Sequence, residues 1–253
     1  MKRHEQPRYG LARVLSKRGA LSRRRAAECI RAGRVRVEGR VVRDPEAPTA
    51  LDATITLDGE RVEPVERIVL ALNKRRGWVC TASDEKGRAT IYEALAQAPD
   101  LPWLFPVGRL DRASEGLILL SNDTALSARI LDPERGPPKT YHLKLRGRFD
   151  PLLLRRWEEG IEDGGELLRA FELALLRQGP RSFWLAVRLK GGRNRQLRRM
   201  AAASGHEVER LIRVAIGGLS LGPLGKGAWR RLREEEELAL LFAKPPPLIP
   251  PSA

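Results

Sequence analysis

The chain has 253 residues, with 47 Lys and Arg against 32 Asp and Glu and a formal net charge of +15. That length supports one sizeable domain plus a small one without covalent staples. The charge makes a polyanion such as nucleic acid the natural partner, although a charged fraction of 31% also fits an Arg- and Glu-rich surface of the thermophile kind. Clustering along the chain decides between the two.

Cys29 and Cys80 are too few for a disulfide framework, which favours a reducing compartment. His4, His142 and His206 add no zinc-ligand spacing, so no metal site is expected. The basic N-terminus lacks the apolar run of a signal peptide, and no stretch reaches the length of a membrane span. A cytoplasmic protein with no membrane partner is the expectation. Gly217 and Gly222 have the separation of a P-loop, but Pro223 stands where that motif needs lysine, which argues against ATP-driven chemistry.

From Met1 to Arg43 there are 14 Lys and Arg against 3 Asp and Glu, so the basic excess is concentrated here. Tyr9 to Lys17 carries Leu11, Val14 and Leu15 at helical spacing and ends at Gly19. Ser22 reads as the N-cap of a second helix that places Ala26, Ala27 and Ile30 on one face and stops at Gly33. Two strands follow, Arg34 to Val42 and Thr54 to Val62, the latter with Asp58-Gly59 as a tight turn. The wording LSKRGALSRRRAAECIRAGRVRVEGRVV resembles the S4 RNA-binding domain. That resemblance makes Arg23, Arg24, Arg25 and Arg31 candidate phosphate contacts; as an anonymous sequence, a solvated basic face reads equally well. Where the family often has asparagine before the glycine, this chain has Glu38-Gly39.

Pro64 to Arg67 reads as a short linker, and the strand Ile68 to Leu72 leads into Asn73-Lys74-Arg75-Arg76-Gly77. A helix is expected over Ala89 to Ala96, with Ile91 and Leu95 on one face. Pro99, Pro102 and Pro106 then mark an irregular approach to Gly108-Arg109-Leu110-Asp111-Arg112. Leu117 to Leu120 has the continuous apolar texture of a short buried strand, and a helix from Asp123 to Ile130 is expected to begin at Asn122 or Asp123. Asp111 lies between two arginines, whose charge favours an ionised carboxylate. It can serve as a nucleophile or a base, or simply cap a loop turn.

The wording of Gly108 to Asp123, GRLDRASEGLILLSND, resembles the catalytic segment of the RsuA/RluB branch of RNA pseudouridine synthases. By that resemblance Asp111 is the catalytic carboxylate, with Arg109 and Arg112 beside it as RNA contacts. Asn73 to Gly77 is similar to the first motif of the family, with Arg75 replacing its proline; Lys74 is then a candidate for RNA phosphate, or for holding the sheet edge.

Lys139 to Leu145 alternates with period two, as a half-buried strand does. Its opening resembles the family motif K-x-Y, which assigns Tyr141 to the active site, able to stack on a base and to move a proton. His142 points to the other face. Phe183 to Leu189 alternates again, and from Arg188 to Arg213 there are 8 Lys and Arg against 2 acidic residues. Within it GRNRQLRRM resembles the third motif. The resemblance pairs Arg198 with the catalytic aspartate through an arginine fork and leaves Arg193 and Arg195 to RNA phosphates. Arg210-Leu211-Ile212-Arg213 reads like the closing motif. Lys244 to Ala253, with five prolines, is expected to be disordered.

The expected fold is α+β: a small S4-like RNA-binding domain over residues 1–63, a linker over 64–67, a catalytic domain over 68–243 on a mixed, mainly antiparallel sheet flanked by helices, and a tail over 244–253. The expected activity is isomerisation of uridine to pseudouridine in ribosomal RNA, without cofactor, by a monomer acting on the RNA or an assembling subunit. The arginine-rich GRNRQLRR wording is closer to the large-subunit branch. A non-catalytic ribosome-assembly factor and a synthase for small-subunit or transfer RNA are the alternatives.

Overall fold

The structure is a computed structural model and describes residues 7–249; His4 and the end of the proline-rich tail lie outside the described residues. Its contacts divide the chain into two compact units. The first comprises Met1–Val69, Ala98–Phe105 and Ser121–Thr124, and the second Leu70–Gln97, Pro106–Leu120 and Ala125–Ala253.

The first unit opens with strand β1 (Arg8–Gly10) and helices α1 (Leu11–Lys17) and α2 (Arg23–Arg31). Strands β2 (Val35–Val37), β3 (Arg40–Val41), β4 (Pro48–Ala50), β5 (Ile55–Leu57) and β6 (Glu60–Arg61) follow. Leu11, Val14 and Leu15 of α1 are buried with Ala26, Cys29 and Ile30 of α2 against Val35 and Ile55. Burying each such large aliphatic side chain contributes roughly 1.5–3 kcal/mol. The Ser22 hydroxyl accepts from the Arg25 amide at 3.2 Å, the cap expected for α2.

The strand expected over Arg34 to Val42 is instead a hairpin, and the tight turn expected at Asp58-Gly59 forms a second one, giving a sheet of order β3-β2-β5-β6. The cause lies in two turns whose central residues both have positive φ, Glu38 (48°) with Gly39 (77°) and Asp58 (53°) with Gly59 (90°), the condition of the type I′ hairpin turn. Asparagine tolerates that conformation better than glutamate, and the Glu38 carboxylate compensates by accepting from the Thr54 amide at 2.7 Å. Its charge is thereby drawn toward its own sheet.

Arg18 is a cation the sequence does not distinguish from its neighbours. It is 6% exposed, and its guanidinium donates to the carbonyls of Leu51 (2.8 Å), Ala53 (2.5 Å) and Val62 (2.7 Å), fastening the connection between β4 and β5 and the end of β6. The segment read as a linker is also fastened. Asn122 accepts from the Ile68 amide at 2.9 Å and donates to the Glu66 carbonyl at 2.8 Å, and Arg67 pairs with Asp123 at 2.7 Å. Asn122 therefore clamps chain far away in sequence, and the helix expected there starts at Thr124.

The second unit is built on β7 (Val69–Lys74), β8 (Phe105–Val107), β9 (Glu115–Ser121), β10 (Lys139–Arg146), β13 (Glu172–Gln178), β14 (Ser182–Leu189), β15 (Val208–Ile216), β16 (Leu219–Ser220) and β17 (Trp229–Arg231). They form one nine-stranded sheet with the path β13-β14-β10-β15-β9-β7-β17. A small hairpin, β11 (Ile161–Asp163) and β12 (Glu166–Leu168), stands apart, and helices α3 (Thr124–Leu131), α4 (Leu152–Glu159), α5 (Gln196–Ala203) and α6 (Glu234–Phe242) flank the sheet. The helix expected over Ala89 to Ala96 is a single 3₁₀ segment, Ile91–Leu95, opened by a capping box of Thr90 and Glu93. In the tail, Leu248 is 7% exposed and the Pro246 carbonyl accepts from Arg188, so Lys244–Ile249 is not the free segment its prolines suggested.

The sheet is mixed because β15 runs parallel to β9, with Ile212 opposite Glu115 and Arg213 opposite Gly116. Gly116 has φ +98°, and a Cβ there would lie 2.2 Å from the Arg213 carbonyl oxygen. Glycine is the residue that permits this approach.

Replacing Arg18 by methionine leaves its carbonyl partners without a donor, and a loss of about 3 kcal/mol is expected. Urea unfolding of the full chain measures it; a loss under about 0.5 kcal/mol, the range of an ordinary surface change, would contradict the assignment.

Candidate active site

Three segments of the second unit meet at one place: the loop entering β9, the start of β10, and the loop entering α5. They line a cleft of about 660 Å³ that includes Asp111, Lys139, Tyr141, Arg195, Arg198 and Arg213, a volume in the range of small-ligand sites.

Asp111 sits in the loop ahead of β9. Its carboxylate faces Arg198 Nε at 3.6 Å and Arg195 Nη1 at 3.8 Å. These cations come from the α5 entrance, whereas its sequence neighbours Arg109 and Arg112 are exposed. The expected fork is not formed. Arg198 Nε is buried without a hydrogen-bond partner, and Nη2 donates instead to the Ala113 carbonyl at 3.2 Å and the Ser114 hydroxyl at 3.4 Å. Arg198 thus grips the loop and presents its charge to the carboxylate. Burial lowers the Arg198 pKa and Asp111 opposes that shift. Arg195, at the N-cap of α5, adopts left-handed backbone angles (φ 49°, ψ 30°), which a non-glycine residue holds only where its surroundings enforce it.

Lys74 does not reach RNA. Its side chain is fully buried at the end of β7, and its ammonium donates to the carbonyls of Ser114 (2.7 Å), Arg75 (3.1 Å) and Arg112 (3.5 Å). The Gly77 amide also donates to the Arg112 carbonyl at 2.7 Å, and the Ser114 amide to the Asp111 carbonyl at 3.0 Å. Every residue from Asp111 to Ser114 is therefore held through its carbonyl. Desolvation lowers the Lys74 pKa, with Cys80, Asp111 and Glu115 pulling the other way.

Tyr141 is 9% exposed and lies opposite Arg213 across the β10–β15 pairing. Lys139, two residues earlier and so on the same face, is buried and donates to the Ile130 carbonyl at 3.0 Å. Burial and the nearby Arg213 lower its pKa to about 8. His142, on the other face, is absent from the cleft lining, as the alternation implied. Arg193 is exposed but pairs with Glu166 at 3.0 Å, and Arg199 bridges the same Glu166 and Asp163, so these two tie the β11–β12 hairpin to α5. In the first unit Arg23, Arg24, Arg25 and Arg31 are all exposed, with Arg24 and Arg25 sharing Glu28 at 3.2 and 3.3 Å. Arg213, Lys139 and Ser114 are cleft residues that the sequence reading did not single out; the alternation of Lys139 with Tyr141 was the available signal.

The arrangement offers a carboxylate kept among cations, an aromatic ring with a hydroxyl, and buried cationic donors. It suits chemistry on an anionic polymer in which a carboxylate attacks or abstracts.

The chain is similar to known proteins over most of its length. A family model described as RNA pseudouridylate synthase matches residues 68–203, and one described as S4 domain matches residues 10–48. The chain is 37% identical over 232 residues to a protein of Aquifex aeolicus (strain VF5) named as an RNA pseudouridine synthase, covering 91% of this chain and 92% of that one. It is 35% identical over 228 residues to ribosomal large subunit pseudouridine synthase B of Bacillus subtilis (strain 168), covering 89% and 93%. A crystal structure of a pseudouridylate synthase superposes with a TM-score of 0.64 at 29% identity, covering 92% of this chain and 99% of that one.

The Lys139 pKa gives a signed pH dependence. Below pH of about 8 Lys139 is protonated in both folded and unfolded chains; between about 8 and the ordinary lysine value of 10.5 only the unfolded chain keeps the proton. Stability contributed at this site therefore rises with pH through that window and levels off above it. Relative to Lys139→Met, the wild type should gain up to about 3 kcal/mol between pH 7 and pH 10.5, read from urea unfolding of both proteins at each pH. A constant difference would refute the assignment.

Proposed function

The chain belongs to the RNA pseudouridylate synthase family and is an RNA pseudouridine synthase, and from that premise we propose that it isomerises a uridine of large-subunit ribosomal RNA with Asp111 as catalytic carboxylate. The carrying observation is the Asp111 carboxylate within 3.6 and 3.8 Å of Arg198 and Arg195, in a cleft that also holds Tyr141. The large-subunit substrate is supported by the ribosomal large subunit synthase of Bacillus subtilis, which aligns over 89% of this chain, and by the arginine-rich wording of residues 192–199.

In the reaction the C1′–N1 bond breaks, the base turns, a C1′–C5 bond forms, the C5 proton leaves and N1 takes up a proton from solvent. The atoms are conserved and no oxidant or energy source is needed. Asp111 attacks the anomeric carbon or the uracil ring, or abstracts a sugar proton; all three routes need it ionised, and Arg195 and Arg198 favour that form. A stacked base must be extruded to reach the cleft, where Tyr141 stacks on it and, with a water, takes the C5 proton. Exposed Arg109 and Arg112 hold phosphates at the rim, as do Arg23, Arg24, Arg25 and Arg31 of an S4-like domain over residues 1–63. The enzyme works as a cytoplasmic monomer on ribosomal RNA or an assembling subunit, without cofactor.

Pseudouridine mapping of ribosomal and transfer RNA from cells lacking the gene tests this reading. Loss of one large-subunit site, restored by the wild type and not by Asp111→Asn, is expected. A lost site in small-subunit or transfer RNA would move the substrate, and restoration by Asp111→Asn would remove Asp111 from the chemistry.

A further inference from the structure

Arg213 has no assigned role, yet its surroundings are unusual for an arginine. It lies on β15, is 5% exposed, and lines the same cleft as Asp111. Its Nε donates to the Leu117 carbonyl at 2.6 Å, while Nη2 is buried with no hydrogen-bond partner. A guanidinium carries five donors, and a buried donor left unmatched costs about 1–3 kcal/mol.

The neighbouring groups do not satisfy it. Among the described residues Asp111 is the one carboxylate lining the cleft, and its oxygen faces Arg195 and Arg198. Lys139 is a second cation on the same wall, with its ammonium committed to the Ile130 carbonyl at 3.0 Å. Tyr141, whose ring is read as the stacking platform for the base, is the residue directly opposite Arg213 in the sheet. The wall beside that platform thus carries two buried cations and, among the described residues, no carboxylate besides Asp111.

We infer that Arg213 donates to a carbonyl oxygen of the target uracil and stabilises the charge the base acquires when it leaves the ribose. When the C1′–N1 bond breaks with its electron pair on N1, the negative charge spreads over N1, O2 and O4. The charge disappears when C5 bonds to C1′; the C5 proton then passes to the acceptor as N1 takes up a proton from solvent. A fixed guanidinium in a site screened from water stabilises such an anion far more than it would in solvent. Phosphate is the poorer candidate for this donor, because backbone phosphates stay outside with exposed Arg109 and Arg112, whereas an extruded base enters the cleft. The inference rests on the reading of this cleft as the uridine site; the choice of ribosomal RNA does not enter it.

The test uses the full chain and total RNA labelled with [5-³H]uridine, isolated from cells lacking the gene. Tritium release is followed at saturating enzyme, and RNA binding and thermal unfolding are measured in parallel for wild type, Arg213→Lys and Arg213→Gln. A fall in the saturated rate on the order of 100-fold with binding within about twofold is expected. Transcripts of the RNA that the wild type modifies, carrying 2-thiouridine or 4-thiouridine, then separate contact from scaffold, since sulfur accepts hydrogen bonds weakly. One of the two thio substitutions should slow the wild type and slow Arg213→Lys by a smaller factor, because the contact is already lost there. Equal factors in both proteins at both positions, or weakened binding with an unchanged saturated rate, overturns the proposal. Tritium released by the wild type from transfer or small-subunit RNA would sink the large-subunit reading and leave this one intact.

Discussion

The Asp111 loop rests on a buried ammonium. Lys74 lies fully out of water beneath it and spends its donors on backbone carbonyls of Arg75, Arg112 and Ser114. Burying an unpaired cation is expensive, and here the cost is offset by carbonyl dipoles and by Asp111 and Glu115 at a distance. The same contacts fix the loop, so the Asp111 carboxylate stands on chain held from beneath. Arg198 completes the hold from the opposite direction through Ala113 and Ser114. A site needs its reactive group placed to within a fraction of an ångström, and backbone carbonyls gripped by two cations are one way to reach that precision on a loop.

A charge of +15 could suggest one continuous binding surface. Several of the 47 Lys and Arg side chains are instead engaged inside the fold. Arg18 and Lys74 hold carbonyls, Arg188 holds Glu172 and the Pro246 carbonyl, Arg199 holds Asp163 and Glu166, and Arg210 forms a two-pronged pair with Glu115 at 2.8 and 2.9 Å. What remains exposed on α2 and at the cleft rim is the share available for phosphate. Glu115 shows the logic at one position: its carboxyl, held low by the Arg210 hydrogen bonds, sits immediately after the Asp111 loop and fixes the first residue of β9 to β15.

The features legible in the sequence were those carried by local pattern. The α1 and α2 cores followed from apolar spacing, β9 from its unbroken apolar run, and β10 from alternation. The meeting of Asp111, Tyr141 and Arg198 followed from three motifs resembling one family. What stayed hidden depends on pairing between distant segments. Nothing local distinguishes Arg18 or Lys74 from a solvated cation, because burial is decided by strands that arrive later in the chain. Asn122 or Asp123 read as the start of α3, which begins at Thr124 directly after Asp123; the Asn122 amide instead has partners, Glu66 and Ile68, more than fifty residues away. The strand expected over Arg34 to Val42 became a hairpin because Glu38 entered the left-handed region, which glutamate does not favour as glycine does, whereas Asp58-Gly59 was legible as a turn.

Arg195 combines two demands that few side chains meet together. Its backbone is left-handed at the entrance to α5, and its guanidinium stands 3.8 Å from Asp111. Glycine would relax the first and abolish the second; a β-branched residue would satisfy neither. The position therefore behaves as a narrow gate for sequence drift: arginine or lysine keeps the charge at a standing conformational cost, while any change that eases the backbone strips a cation from the Asp111 carboxylate. Backbone ease and the charge balance around Asp111 pull in opposite directions at this one residue, and the helix start carries the resulting compromise.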